Sequence, residues 1–365
     1  MPLAVILLSL LVACAPPPLP TASPPTLFPT SPPTITAPPH PTPTPVPAPT
    51  PTPTPTPAPT LDPAAVAAHV AAAEERLEAE EIEPLCMRWE DTDADGEPEW
   101  VGLHLQPGEP SRLKAFILDG DAWHDLLPLP DEKHGLGEYP HCELEIRDAN
   151  DDGRVEILIW GHAGSSTDLL HIFVWDGTSY ALLAFFEGNA GVRLANEDGD
   201  LADEVYVGYE AGDDLVWEAV HTWDGANYGW TWERYTWFYL DRPHVYLADT
   251  PEHAVISFYL AVDDRDLSAA YGLLGPTSQA ATPAGEWMVG FATTVAVEVG
   301  GVHEIGRNGD SAAVIAQVRA YDNVDGRVIV TSWDVEWTVV QTPGGWRLES
   351  GTADELERWE AVYYP

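Results

Sequence analysis

The chain has 365 residues, with 59 acidic residues, 16 basic residues and a formal net charge of −43. This charge argues against nucleic acids and anionic membrane surfaces as partners, because their phosphates would be repelled, and it favours cations. None of the charged residues lies in 1–61, whereas 22 of the 36 prolines lie between Pro16 and Pro63. A proline-rich segment that cannot build a core therefore precedes about 300 residues that can form two domains.

Residues 1–13 form an apolar run of the length found in secretory signal peptides, too short to cross a membrane as a helix. The run ends in Leu11-Val12-Ala13-Cys14, which resembles the bacterial lipobox. The resemblance implies that Cys14 is lipidated and anchors the exported protein to the cell membrane, facing outside the cytoplasm. The run lacks the usual Lys or Arg, which indicates either a true start further upstream or weakly signalled export. The alternative to lipidation is an ordinary cleaved signal peptide with an incidental cysteine.

Residues 14–61 comprise Cys14 and a linker rich in Pro and Thr. Proline fixes φ and removes backbone donors, so this composition predicts a disordered, polyproline-II-like spacer without a core. At about 3.1 Å per residue, the linker could hold the following domains up to ~145 Å from the anchor.

Residues 62–83 are predicted to form an amphipathic helix. Asp62 can cap the helix, and Pro63 suits its first position. Apolar residues follow at helical spacing, and they are Val66, Val70, Ala73 and Leu77.

Three acidic segments share one pattern, and we name them loop 1 (residues 91–99), loop 2 (148–156) and loop 3 (196–204). Each is followed by an apolar run. An Asp-Gly pair, which indicates a hairpin turn, begins 28 residues after the start of each loop. The equal spacing predicts tandem β repeats of about 50 residues, in which strands follow the loop and flank the turn.

The loops carry the residues that bind a hard cation. Oxygen ligands at loop positions 1, 3 and 5 and a carboxylate at position 9 can surround Ca²⁺, and Gly at position 6 permits the sharp turn. Loop 3 begins with Asn196 and has Leu201 in place of that Gly, which predicts a weaker or empty site. The alternative is that the acidic residues form turns satisfied by their own backbone. The predicted ligands are Asp91, Asp93, Asp95, Glu99, Asp148, Asn150, Asp152, Glu156, Asn196, Asp198, Asp200 and Glu204.

The loop, its apolar strand and the later Trp-Asp-Gly-x-x-Tyr hairpin together resemble FG-GAP/VCBS repeats over residues 84–240. The resemblance implies β-propeller-like blades, with structural calcium held by the twelve ligand positions. Three blades are fewer than a closed propeller needs. We therefore expect a small or open assembly, sealed by the 62–83 helix or by the C-terminal domain.

Two cysteines occupy near-equivalent places in successive repeats. Cys86 lies five residues before loop 1, and Cys142 lies six residues before loop 2. Neighbouring equivalent strands could bring them within reach of each other, so we expect a disulfide. Two buried free thiols are the alternative.

Residues 250–353 read as helices followed by antiparallel strands, and 354–365 read as a tail. Thr250-Pro251 opens the first helix, and a second begins after Asp266. Strands are expected at 293–299, 312–320, 327–340 and 345–349. This order resembles the nuclear transport factor 2-like (cystatin-like) α+β cone.

Enzymes on such a cone place acid–base groups inside it, and the candidates for a ligand pocket here are Tyr259, Asp266 and His303. Their spacing indicates no particular reaction, and helix core and helix capping are the alternatives for Tyr259 and Asp266. No catalytic motif occurs in the sequence, so no catalytic residue is predicted.

Aromatic residues are dense at 217–239. Packing within a small β core or at the join between domains is one interpretation. A glycan-stacking platform of Trp230, Trp232 and Trp237 is the other.

The predicted fold is therefore mainly β repeats followed by a C-terminal α+β cone. The leading functional hypothesis is a non-catalytic, lipid-anchored surface protein whose calcium-stabilised repeats bind a protein or glycan. A small-molecule enzyme in the cone and a glycan-binding module are the alternatives.

Overall fold

The computed structural model describes residues 63–361. The predicted signal peptide, Cys14, the linker and Asp62 lie outside the described residues. The described part of the chain folds into four antiparallel sheets of four strands each, with a few helices. None of these helices is both long enough and apolar enough to cross a membrane. The prediction of a mainly β protein is confirmed.

Helix α1 and sheet 1 begin the described chain. Their elements are α1 (Pro63–Ala79), β1 (Pro84–Glu90), β2 (Glu99–Gln106), β3 (Arg112–Asp119) and β4 (Ala122–Leu126). Sheets 2 and 3 repeat the plan of sheet 1. Sheet 2 comprises β5 (Glu143–Arg147), β6 (Glu156–Ala163), β7 (Thr167–Trp175) and β8 (Tyr180–Gly188). Sheet 3 comprises β9 (Val192–Ala195), β10 (Glu204–Gly212), β11 (Leu215–Trp223) and β12 (Tyr228–Trp237).

Each of sheets 1–3 is an antiparallel meander in which every strand pairs with the next along the chain. The predicted Asp-Gly turns join the third and fourth strands. Their glycines, Gly120, Gly177 and Gly225, adopt positive φ, which glycine tolerates without steric cost. The structure adds a short first strand before each acidic loop, so each loop connects the first two strands of its sheet.

Sheets 1–3 pack face against face in a row. Val101 and Ile117 of sheet 1 lie in one apolar cluster with Ile157 of sheet 2. On the opposite face of sheet 2, Leu158 lies in a cluster with Val205 of sheet 3. Because both faces of sheet 2 are covered, β6 is a continuous apolar run rather than an alternating one.

Helix α1 covers the free face of sheet 1. Ala73 and Leu77 of the helix are buried in a cluster with Phe116 and Leu118 of β3. Burial of one leucine side chain contributes about 2 kcal/mol. The apolar stripe that the sequence predicts is therefore the face that contacts the sheet.

The C-terminal unit, residues 251–360, contains four helices and sheet 4. Its elements are α2 (Pro251–Asp263), α3 (Leu267–Gly272), α4 (Pro276–Ala281), α5 (Ala284–Val289), β13 (Thr294–Asn308), β14 (Ser311–Val324), β15 (Arg327–Thr342) and β16 (Gly345–Glu360). Thr250 caps α2 by accepting a hydrogen bond from the backbone N–H of His253. Helix α2 packs on the apolar face of sheet 4, where Phe258, Trp287 and Trp337 share one core.

The predicted tail at 354–365 is wrong over residues 354–360. Strand β16 continues to Glu360 and pairs with β15, with Glu360 opposite Ile329. The segment contains exposed acidic residues because β16 is an edge strand, and exposed edges commonly carry charge. The sequence also gave no indication of α4 and α5, which are six residues long each.

Candidate cation-binding loops

Loops 1, 2 and 3 occupy the same place in sheets 1, 2 and 3. Position 9 is the first residue of the second strand in each sheet, and its side chain points inward. Glu99, Glu156 and Glu204 are 1%, 0% and 4% exposed. Carboxylates are rarely buried to this degree without a partner charge or a metal.

Loop 1 brings its four predicted ligands together. Asp91, Asp93, Asp95 and Glu99 each offer an oxygen, and these atoms all lie within 4.8 Å of one another. Backbone N–H groups of the loop donate to the first three carboxylates at 2.7–3.0 Å. The other oxygen of Asp91, Oδ1, is buried and has no hydrogen-bond partner.

The Glu99 carboxyl of loop 1 is held in place by two hydrogen bonds from one residue. Its Oε2 atom accepts hydrogen bonds from the backbone N–H (2.6 Å) and the hydroxyl (2.7 Å) of Thr92. Burial nevertheless raises the pKa of Glu99 to about 7, against the effect of these two donors. A cation among the four oxygens would supply the missing positive charge, so the donor set fits a hard ion such as Ca²⁺.

Loop 2 has the same backbone hydrogen bonds as loop 1, but one of its carboxylates is paired with an arginine. The Gly153 N–H donates to Asp148 (3.0 Å), and the Ala149 N–H donates to Oε2 of Glu156 (2.8 Å). The Oε1 atom of Glu156 is buried without a partner, and burial raises the pKa of this carboxyl to about 7.

The fifth position of loop 2 departs from loop 1. The Nε–H of Arg154 donates to Oδ2 of Asp152 at 3.1 Å, and this bond holds the pKa of Asp152 below its usual range. The arginine thus takes a carboxylate oxygen that would otherwise face a cation. The unpartnered atoms at this site are Oε1 of Glu156 and Nδ2 of Asn150.

Loop 3 assembles three of its four predicted ligands. Oxygens of Asp198, Asp200 and Glu204 lie within 4.8 Å of one another, and burial raises the pKa of Glu204 to about 7. Asn196 is engaged otherwise. Its Oδ1 accepts from the Gly199 N–H at 2.8 Å, and its Nδ2 donates to the Asp200 carbonyl.

The loops require left-handed backbone at a position that sequence reasoning missed. Position 4 has positive φ in all three loops, at Ala94 (64°), Asp151 (55°) and Gly199 (77°). Gly96 and Gly153 at position 6 are also left-handed, with φ of 94° and 84°. The Asp at position 4 of loop 2 was a signal in the sequence, since Asp adopts this conformation more readily than most residues.

Tyrosines from the Asp-Gly hairpins contact the loop of the preceding sheet. The Tyr180 hydroxyl, in sheet 2, lies 2.7 Å from the Thr92 hydroxyl in loop 1. Tyr228 of sheet 3 packs in the cluster that contains Ala149 of loop 2. Burial and the nearby Glu156 carboxylate raise the pKa of Tyr228. The two repeated motifs therefore meet between neighbouring sheets.

Cys86 and Cys142 form a disulfide, with Cα atoms 6.0 Å apart. Cys86 lies in β1, and Cys142 lies directly before β5. The bond therefore links the first strands of sheets 1 and 2.

The three pocket candidates are not brought together. The Tyr259 hydroxyl is buried in the core and accepts a hydrogen bond from Trp337 Nε1 at 3.0 Å. Asp266 caps α3 by accepting from the Ala269 N–H at 2.9 Å. His303 lines a different cavity of about 500 Å³, together with Asp334. The proposed pocket is therefore wrong, because large apolar side chains fill the space between α2 and sheet 4.

The three tryptophans do not form a shared exposed face. Trp230 is 58% exposed, but Trp232 and Trp237 are each 6% exposed. Trp237 Nε1 donates to Asp264 at 3.1 Å. The predicted three-ring glycan platform is wrong, since two of its rings are buried within and between the domains.

An arginine whose side chain is only 16% exposed links loop 3 to the C-terminal unit. The guanidinium of Arg234 in β12 donates to Glu197 (3.0 Å), Glu218 (2.8 Å) and Glu298 (2.6 Å). Burial alone would lower its pKa, but the three carboxylates outweigh burial and raise it. Sequence reasoning missed this residue, because its partners lie up to 64 positions away.

A cavity of about 410 Å³ lies beside Arg234, between sheet 3, loop 3 and sheet 4. The guanidinium of Arg319 stacks on the Trp232 ring there, at 3.8 Å from the ring centroid. Trp232 Nε1 and Arg319 Nε are buried and have no hydrogen-bond partner. This junction thus holds two unused donors beside the acidic residues of loop 3.

Comparison with known proteins assigns no family. No protein-family model and no curated protein matches this chain. One solved structure, from Novosphingobium aromaticivorans and named as an aromatic ring hydroxylase, is 19% identical. The similarity covers 30% of this chain and 89% of that chain, with a TM-score of 0.25. A score this low supports neither a shared fold nor a shared activity.

Proposed function

We propose that this protein is a non-catalytic binding module of the cell surface whose repeats are stabilised by calcium. In this proposal Cys14 carries the lipid anchor, and the Pro/Thr segment acts as a stalk outside the cytoplasm. The ligand is a protein or a glycan. The proposal combines the lipobox-like sequence, the spacer and the three acidic loops.

The observation that carries the proposal is the buried glutamate at position 9 of three equivalent loops. Four carboxylates of loop 1 converge within 4.8 Å, and an oxygen of Asp91 has no partner. Repulsion between these groups would open the loop unless protons or a cation neutralised them. Calcium fits better than magnesium, because it accepts several carboxylates in flexible geometry, whereas magnesium keeps its waters.

Two finer assignments of fold belong to the same proposal. We assign sheets 1–3 as FG-GAP/VCBS-like blades in an open row, supported by their common meander and by the loop between the first two strands. We assign residues 251–360 as a nuclear transport factor 2-like cone, supported by helices that precede a long antiparallel sheet. In this arrangement α1 and the C-terminal unit cover the two ends of the row.

The junction cavity is our candidate location for ligand binding. Its unused donors, Trp232 Nε1 and Arg319 Nε, would pair with acceptor oxygens of a polar ligand such as a sugar. A panel of neutral sugars tested by saturation-transfer NMR should identify binders. Trp232→Phe, which keeps an aromatic ring but removes the donor, should weaken them. Sugars that bind the variant equally well would contradict this location.

Calorimetric titration of the mature protein with calcium tests the main proposal. We expect the tightest binding at loop 1, and weaker binding at loop 2, where Arg154 pairs with Asp152, and at loop 3, where Asn196 is engaged elsewhere, together with a rise in the thermal unfolding midpoint. An unfolding midpoint that is the same in excess chelator and in millimolar calcium would refute calcium stabilisation. Cys14→Ala tests the anchor separately, because it should release the protein from the membrane fraction.

An enzyme within the C-terminal unit is less well supported. Tyr259, Asp266 and His303 are separate, and Phe258, Trp287 and other apolar residues fill the core beneath α2. A reaction there would need converging acid–base groups beside a substrate cavity.

A further inference from the structure

A second kind of metal-ligand cluster lies on sheet 2, away from the acidic loops. Strand register explains its formation. Glu143, the first residue of β5, pairs with Trp160 of β6, and continuing this antiparallel register by two residues beyond the strand end brings His141 close to His162. Glu143 is two residues from His141 and points to the same face. Two imidazoles and a carboxylate are therefore grouped on one face.

The distances confirm this grouping. His141, Glu143 and His162 each offer one ligand atom, and the three atoms lie within 4.8 Å of one another. The two imidazole ring centroids are 4.8 Å apart. His141 Nε2 lies 3.0 Å from Glu143 Oε1, which meets the distance for an ion pair, but the nitrogen makes no hydrogen bond. Because the two atoms lack hydrogen-bond geometry, Nε2 of His141 is free to offer its lone pair to a metal ion.

A neighbouring carboxylate orients one of the imidazoles. Asp168 of β7 is the direct cross-strand partner of His162, and its Oδ1 lies 2.5 Å from His162 Nδ1. This contact places the ring proton on Nδ1 and leaves Nε2 with a lone pair. Metal-binding histidines in proteins commonly have such a carboxylate partner on the second ring nitrogen.

The segment that carries His141 is fixed on both sides. Cys142, the next residue, is covalently bound to Cys86. Three residues before His141, the Glu138 N–H donates to the His162 carbonyl at 2.8 Å. The Tyr139 hydroxyl donates to the Gly164 carbonyl. The ligand groups are thus held close together before any ion binds, which lowers the entropic cost of binding.

We propose that His141, Glu143 and His162 form a binding site for a first-row transition metal ion, with Zn²⁺ as the ion to test. Two nitrogen donors and one carboxylate suit zinc, whereas calcium and magnesium prefer oxygen donors alone. Three protein ligands leave the fourth tetrahedral position for water or for a group from a bound partner. Asp168 is a positioning residue that acts through His162.

The test is a Zn²⁺ titration of the mature protein by calorimetry, in millimolar calcium and without reductant. Excess calcium competes with Zn²⁺ for the acidic loops, as the proposed function requires, and the intact disulfide keeps Cys86 and Cys142 from binding zinc. We expect one Zn²⁺ per chain, and we expect Co²⁺ in place of Zn²⁺ to give the visible absorption of a tetrahedral site. His162→Gln should weaken binding at least about 100-fold, and Asp168→Asn should weaken it about 10- to 100-fold.

His69→Gln is the matched control, since it removes an exposed histidine on α1 and should leave zinc binding unchanged. Hydrogen exchange with mass spectrometry of each variant in calcium verifies that sheet 2 is folded. The proposal fails if the folded wild-type protein binds no Zn²⁺ at micromolar concentration. It also fails if the His162→Gln variant and the Glu143→Gln variant each bind Zn²⁺ as tightly as the wild-type protein. Either failure leaves the calcium proposal untouched, because no residue is shared between the two sites.

Discussion

The C-terminal unit and sheets 1–3 are stabilised by different means. Sheet 4 has strands of 14 to 16 residues that pack with α2 around one large apolar core. Strands in sheets 1–3 have 4 to 10 residues, and each sheet shares a smaller core with its neighbour. Only sheets 1–3 carry buried carboxylates at the start of the second strand. In this protein short repeated sheets therefore concentrate negative charge at their loops, whereas the larger unit relies on apolar burial.

Of all the tests, calcium removal should produce the largest difference in stability between the two regions. We expect a chelator to increase amide hydrogen exchange across β1–β12 and to leave the amides of sheet 4 almost unchanged. A ligand at a thousand times its Kd stabilises a folded protein by about 4 kcal/mol for each site. Hydrogen exchange with mass spectrometry measures both regions in one sample. An equal response of sheet 4 would contradict the comparison.

Arg234 lies where the two regions meet, so its removal should affect both of them. Arg234→Met removes a cation from Glu197, Glu218 and Glu298, although Arg193 still pairs with Glu197 and Glu218 at 3.0 and 3.3 Å. We expect a loss of about 2–3 kcal/mol. Urea unfolding measures this loss. The matched control is Arg327→Met, since Arg327 forms an exposed pair with Glu360 at 3.3 Å, and it should cost below about 1 kcal/mol. Equal losses in the two variants would contradict a role for the buried network.

A single glutamate of loop 1 should account for most of the calcium response of that loop. Glu99→Gln keeps an oxygen that accepts from Thr92 but removes the anionic ligand. We expect the calcium-induced gain in the free energy of unfolding to fall by about 2–4 kcal/mol. Glu97→Gln removes the same charge from an exposed position of the same loop and should retain the response. The interpretation of loop 1 as a calcium site would be wrong if both variants responded to calcium like the wild type.

The pH dependence of the calcium-free protein should differ between the regions. Burial raises the pKa of Glu99, Glu156 and Glu204 to about 7, whereas an unfolded chain has glutamate pKa values near about 4.3. The folded state therefore binds more protons between these values, and its stability falls as pH rises through 7. We expect about 1–3 kcal/mol for each carboxyl.

Urea unfolding in chelator from pH 5 to pH 8 measures this fall, and calcium should reduce it by replacing the protons. The Glu99→Gln variant should show a smaller fall than the wild type. Stability that increased with pH across this range would show that the buried carboxylates are ionised in the folded, calcium-free state.

The smallest expected effect concerns backbone strain in loop 1. Ala94 has a φ of 64°, which is costly for a residue with a Cβ atom. Ala94→Gly removes this strain but adds chain entropy to the unfolded state, so we expect a net stabilisation of about 0.5 kcal/mol. Ala122→Gly, in an exposed strand position, should instead destabilise by about 0.5–1 kcal/mol. Thermal unfolding compares the two variants, and equal changes would argue against strain at Ala94.

Local sequence signals predicted the loops and hairpins well, because Asp and Gly spacing determines the conformation of adjacent backbone. They did not predict the short strand β9 before loop 3, which has four residues. Such strands are defined by their partners rather than by their own composition. The acidic end of β16 was read as a tail for the same reason.

Apart from the disulfide between sheets 1 and 2, contacts between sheets could not be predicted from one sequence. The hydroxyls of Thr92 and Tyr180 meet across 88 residues, and the Arg234 network joins two domains. The His141 and His162 pair was predictable only once the register of β5 and β6 was known. In each case the residue types were visible in the sequence, but their proximity depends on tertiary packing.

The row of sheets has a consequence for how the protein could change in length. Within the described residues, each sheet completes its strand pairing internally, and sheets 2 and 3 are joined outside their strands by a backbone hydrogen bond from the Asp203 N–H to the Ala149 carbonyl (2.7 Å). A further repeat inserted between β8 and β9 would therefore interrupt no strand ladder, provided that its two faces matched those of sheets 2 and 3. The helix and the C-terminal unit would still cover the ends of the longer row. The architecture thus permits variants whose rows of sheets differ in length but end in the same helix and the same C-terminal unit.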